Sequence, residues 1–97
     1  MNSSEKWVVY ILLCADGTLY TGVTTDPKRR LEQHNGGKAS KYTRARRPVE
    51  MIHQESGHTR GGALGREAAI KKLPRAAKLL LIGKIDSGSG KSGKRAR

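Results

Sequence analysis

Three sets of side chains are of types, and at spacings, that could each do chemistry: the tyrosines Tyr10 and Tyr20, the pair Arg30 and His34, and the lone Glu67. A free phenol has a pKa of about 10, so a tyrosine ionises near neutral pH only in a cationic field. Arg30 and His34 are four residues apart and share one side of any helix that carries them. An Arg and a His at the edge of a core suit a bound phosphate, with Arg as a bidentate donor and His as a donor or proton carrier. The same pair is also what a snorkelling Arg and a surface His look like. Glu67 stands three residues after Leu64 and three before Ile70, among the apolar positions Ala63, Leu64, Ile70 and Leu73. A carboxylate there needs a cation, either a divalent metal or a basic neighbour such as Lys71 or Arg30.

The elements that position these residues follow from patterning. Trp7–Cys14 is apolar on both parities and predicts a strand buried on both faces, in the middle of a small sheet. Thr18–Thr24 predicts the returning strand of a hairpin across Ala15-Asp16-Gly17. With a two-residue Asp16-Gly17 loop, Tyr10 and Tyr20 fall on opposite faces. A three-residue loop with Gly17 left-handed puts Tyr10 opposite Gly22 and Tyr20 opposite Leu12, so both tyrosines share one face. In that register Gly22 is expected to leave room for a ligand, although a pair of core tyrosines and a bulge glycine make the same pattern.

Thr25-Asp26-Pro27 starts a helix that runs to Asn35 and stops at Gly36-Gly37. Residues 38–47 read as a basic loop carrying Lys38, Lys41, Arg44, Arg46 and Arg47, with Tyr42 and Thr43 among them. A third strand, Val49–Glu55, then a loop at Gly57–Gly62, a helix at Ala63–Leu73 ended by Pro74, and a short helix at Ala76–Ile82 complete the order β-β-α-β-α-α. The expected fold is α+β, a small three-stranded antiparallel sheet flanked by helices.

The chain has 97 residues, enough for one domain, placed at residues 6–85. Residues 86–97 are rich in Gly, Ser and Lys and are expected to form a disordered basic tail. The net charge of +12 is not all in the tail: residues 83–97 carry +4, which leaves +8 on residues 1–82. Such a domain suits an anionic partner, nucleic acid first and anionic membrane second. No apolar run approaches the ~20 residues of a membrane span. The lone Cys14 excludes an intrachain disulfide framework and fits a reduced, cytoplasmic protein.

The motifs V-V-Y at 8–10, Y-T-G at 20–22 and R-R-L-E-Q-H-N at 29–35, with the lone Glu67, resemble the GIY-YIG nuclease superfamily. The run K-A-S-K-Y-T-R-A-R-R-P-V-E at 38–50 is similar to its small stand-alone bacterial members, the YhbQ-like group. Val8-Val9 replace Gly-Ile, Thr21 replaces Ile, and Leu79 stands at the spacing where some members carry Asn.

The resemblance implies a divalent-metal-dependent endonuclease that cleaves phosphodiester bonds in DNA, with a role in repair or recombination. It implies that Glu67 holds a single Mg²⁺ or Mn²⁺, that Arg30 stabilises transition-state charge, and that His34 contacts the phosphate or assists proton transfer. Either tyrosine is then eligible to activate water, with Tyr10 preferred because of the space at Gly22. Lys38, Lys41, Tyr42, Thr43, Arg44, Arg46 and Arg47 would grip the backbone or stack on a base. Single-stranded, branched and duplex DNA suit this chemistry equally, and RNA remains open. A competing reading is a DNA- or RNA-binding module without turnover, and a third is an interaction module for anionic partners. No obligate protein partner is evident.

Overall fold

The computed structural model describes residues 5–88, with side chains through residue 83. It comprises β1 (Trp7–Cys14), β2 (Leu19–Thr24), α1 (Pro27–Asn35), α2 (Lys41–Arg44), β3 (Val49–His58), α3 (Arg60–Lys71) and α4 (Arg75–Gly88). The sheet is antiparallel in the order β2-β1-β3, which puts the doubly apolar β1 in the centre. The fold is therefore the expected three-stranded antiparallel sheet with helices.

The hairpin adopts the three-residue loop. Gly17 has φ +87°, the Cys14 N–H donates to the Thr18 carbonyl at 2.9 Å, and Tyr10 pairs with Gly22 while Leu12 pairs with Tyr20. Both tyrosines lie on one face as a result.

Each sheet face has its own core. Val9 and Ile11 pack with Ala63 and Ile70 of α3 and Ile82 of α4. Tyr10, Leu12 and Cys14 form the opposite core with Val49, against which Tyr20, Leu31 and Met51 pack. Leu31 brings α1 to this second face.

The elements differ from the sequence reading in several places, of which an added helix and three shifted ends matter most. The basic loop contains α2, a single turn whose N-cap Ser40 accepts from the Thr43 N–H. The third strand continues past Glu55 to His58, still paired with β1 through Trp7. The second long helix starts at Arg60, three residues early, because Thr59 caps it by accepting from the Gly62 N–H. α4 extends to Gly88, so only residues 89–97 of the expected tail lie outside the described residues.

Candidate active site

Burial and pairing bring three of the expected residues into direct contact. The Tyr10 hydroxyl lies 2.9 Å from His34 Nε2, with the rings edge-on at 68°. Tyr20 meets the same imidazole edge-on, centroid to centroid 5.2 Å. His34, in the last turn of α1, is 1% exposed, and its Nδ1 is 2.7 Å from Thr43 Oγ1. With both ring nitrogens occupied inside the protein, His34 does not reach a phosphate, and of the two roles expected for it only proton transfer is open.

Gly22 does not open a ligand space. A Cβ built there would stand 2.5 Å from the Tyr10 hydroxyl oxygen, so the Tyr10 ring itself fills the gap. Gly22 is needed so that the phenol can cross the neighbouring strand and reach His34.

Electrostatics link the remaining two residues to this cluster. Burial pushes the Tyr10 phenol well above its ordinary range; Tyr20 and Glu67 add to the rise and Arg30 opposes it. Burial, and then the Arg30 charge, hold the His34 imidazolium below its ordinary range. Tyr10 and His34 therefore meet as neutral phenol and neutral imidazole near pH 7. Among the described residues Arg30 Nε is buried without a hydrogen-bond partner. A buried donor left unpaired costs about 1–3 kcal/mol, and an anionic oxygen beside it removes that cost.

Glu67 is partly buried on α3 and pairs with Lys71 Nζ at 3.2 Å, one of the two basic partners expected for it. The apolar stripe around it is incomplete: Ala63 and Ile70 are buried, but Leu64 is 38% exposed. Glu67 contributes one hard carboxylate, the donor type that Mg²⁺ takes with water and substrate phosphate rather than an all-protein cage. No group of three or more His, Cys, Asp or Glu able to hold a metal occurs among the described residues. The donor set therefore fits a single ion shared with substrate and does not fit a closed structural site.

The basic segment divides in two. Lys38, Lys41, Arg44 and Arg47 are exposed. Arg44 borders two hollows, of about 400 Å³ beside Arg47 and Pro48 and about 320 Å³ beside Lys38 and Lys41. Arg47 is oriented by donating to the carbonyls of Arg44 (2.9 Å) and Asn35 (3.3 Å). Arg46 pairs with Asp16 at 3.0 Å, and its guanidinium lies 3.8 Å from the centroid of Tyr42. Tyr42 in turn stacks on Tyr20 at 5.9 Å. Thr43 is wholly buried and does not face a nucleic-acid backbone.

A GIY-YIG catalytic domain model matches residues 6–79. The chain belongs to the GIY-YIG family. Its relatives include a UPF0213 protein of Syntrophus aciditrophicus, 55% identical over 79 residues, covering 80% of this chain and 91% of the relative. Another UPF0213 protein, from Enterococcus faecalis, is 51% identical over 80 residues, covering 80% and 91%. Among solved structures, the UPF0213 protein BH0048 of Bacillus halodurans aligns with a TM-score of 0.52 at 40% identity, covering 79% of this chain and 82% of that one. The E. faecalis protein EF2693 aligns with a TM-score of 0.54 at 37% identity over the whole of both chains. This GIY-YIG chain has no described helix long and apolar enough to cross a membrane.

Sequence reasoning named Thr43 among the backbone-gripping residues but missed its burial and its contact with His34. The available signal was Ser40-x-x-Thr43, a helix-capping spacing inside the basic run.

Proposed function

We propose that this GIY-YIG protein is an endonuclease that hydrolyses phosphodiester bonds in DNA with a single Mg²⁺ or Mn²⁺. The observation that carries the proposal is the buried 2.9 Å contact between the Tyr10 hydroxyl and neutral His34, because it gives the phenol a place to put its proton.

As the attacking water gives a proton to the Tyr10 oxygen, the Tyr10 proton moves onto His34 Nε2, and the hydroxide so formed attacks phosphorus. Neither a phenolate nor an imidazolium has to exist beforehand, consistent with the directions in which burial moves both groups. The partly exposed Arg30 guanidinium donates to a phosphate oxygen and stabilises the charge that builds there. Glu67 would hold the ion, which when bound stabilises charge on the phosphate and on the departing 3′-oxygen. Lys38, Lys41, Arg44 and Arg47 hold the backbone on either side.

Tyr20 is the more open of the two tyrosines, and this exposure favours a second assignment in which Tyr20 takes the water proton. Under the first assignment Y10F loses cleavage and Y20F keeps part of it; under the second the order reverses.

The test is incubation of end-labelled single-stranded, duplex and branched DNA with the protein in Mg²⁺, Mn²⁺ or chelator. Cleavage that needs the metal supports the nuclease. Metal-independent binding without cleavage makes the protein a nucleic-acid-binding module, with RNA as the comparison ligand.

A further inference from the structure

We propose that Thr43 is a positioning residue: its hydroxyl holds His34 in the Nδ1–H tautomer and so keeps the Nε2 lone pair facing Tyr10. The consequence for catalysis rests on Tyr10 as the proton acceptor in the nuclease reading, but the tautomer itself does not.

The argument is a proton count among buried groups. A neutral imidazole has one donor nitrogen and one acceptor nitrogen. Thr43 Oγ1 lies 2.7 Å from His34 Nδ1, 3.0 Å from Ser40 Oγ and 3.4 Å from the Ser40 carbonyl oxygen. A carbonyl only accepts, so its contact with Oγ1 forms only with the Thr43 proton turned toward Ser40. Oγ1 then receives the proton that Nδ1 carries. At the other end Tyr10 is 2% exposed, and among the described residues Nε2 is its hydroxyl's one hydrogen-bond partner.

One direction makes every one of these contacts: Tyr10 O–H to Nε2, Nδ1–H to Thr43, and Thr43 O–H to Ser40. The reverse direction strands the Tyr10 proton and turns a Thr43 lone pair toward a carbonyl. It also places a proton on Nε2, which then cannot take one from Tyr10. This is the general arrangement in which a third group orients the base behind a proton-transferring side chain.

Thr43 can fill this role because α2 is a short turn with Thr43 pointing inward, between the exposed Tyr42 and Arg44. The Ser40 cap fixes the turn through the Thr43 N–H, which a side-chain substitution at Thr43 leaves in place.

The experiment reads imidazole ¹⁵N shifts of His34 at neutral pH in the full chain, for wild type, T43V and T43S, alongside cleavage kinetics and the pH profile. The expected wild-type signature is a protonated Nδ1 and an unprotonated Nε2. T43V should move the population toward Nε2–H, lower kcat by about 10- to 100-fold at unchanged KM, and alter the pH profile. T43S should restore all three. A wild-type His34 protonated on Nε2 overturns the proposal, as does a folded T43V that keeps the wild-type tautomer. If T43V does not fold, the wild-type spectrum alone decides. A wild type that shows the Nδ1–H signature but cleaves no DNA refutes the nuclease reading while supporting the tautomer assignment.

Discussion

Gly22→Ala places one methyl group where the Tyr10 hydroxyl now sits. The added Cβ would lie 2.5 Å from the hydroxyl oxygen and 2.6 Å from Cζ. Comfortable contact begins at about 3.5 Å, so the ring must withdraw by about 1 Å. A shift of that size breaks hydrogen-bond geometry with His34 Nε2, now 2.9 Å away, whichever way the ring moves. His34 is 1% exposed, so its Nε2 recovers no partner from water without opening the core. Overpacking of this kind costs about 1–3 kcal/mol, and the lost hydrogen bond adds about 1. Taking about 2 kcal/mol, Tm falls by roughly 8–16 °C for a domain of this size. A thermal melt and a DNA-cleavage time course read the two effects, with cleavage expected to fall about 100-fold or more as Tyr10 loses its proton acceptor. A G22A protein that melts and cleaves like wild type would refute both the packing account and the Tyr10–His34 relay.

Two further outcomes follow from charge. Deleting residues 89–97 removes Lys91, Lys94, Arg95 and Arg97; the cooperative melt should persist, and the slope of log K against log salt for duplex DNA should shrink by up to about 3–4. Stability should fall in acid in two stages. His34, held below its usual 6.5, makes the unfolded state the better proton binder as pH drops below that value. Glu55, drawn from 4.5 to about 2 chiefly by Arg66, contributes stability that is present above pH 4.5 and lost as pH falls toward 2. Thermal melts across pH 2–8 check both stages, and Glu55→Gln should remove the lower one alone.

The hairpin register was legible as a choice between two loops, and the left-handed Gly17 of the longer one decides which face every side chain takes. The central position of β1 was legible for a similar reason, since only a strand covered on both faces tolerates apolar residues at both parities. Thr43 was not legible. One threonine among cations reads as surface, and its burial depends on a single capped turn folding against α1. The filling of the Gly22 gap was hidden as well, because opposition of Tyr10 and Gly22 is a backbone fact whereas the ring's path depends on His34 arriving from another element. The Glu67 pairing was half visible: the i,i+4 spacing to Lys71 is in the sequence, but how open that pair stands to solvent is not.

That openness makes Glu67→Gln the most direct measurement of the central claim. Lys71 is 53% exposed and returns to water when its partner loses charge, so the substitution should change stability by only about 0.5 kcal/mol or less. Cleavage of labelled DNA in Mg²⁺ by wild type and E67Q is the measurement, with a melt and a metal-free DNA-binding isotherm as controls. A folded E67Q that binds DNA at least as tightly as wild type and has lost most cleavage is the expected result. An E67Q that cleaves at the wild-type rate in Mg²⁺ would contradict metal-dependent phosphodiester hydrolysis at this site.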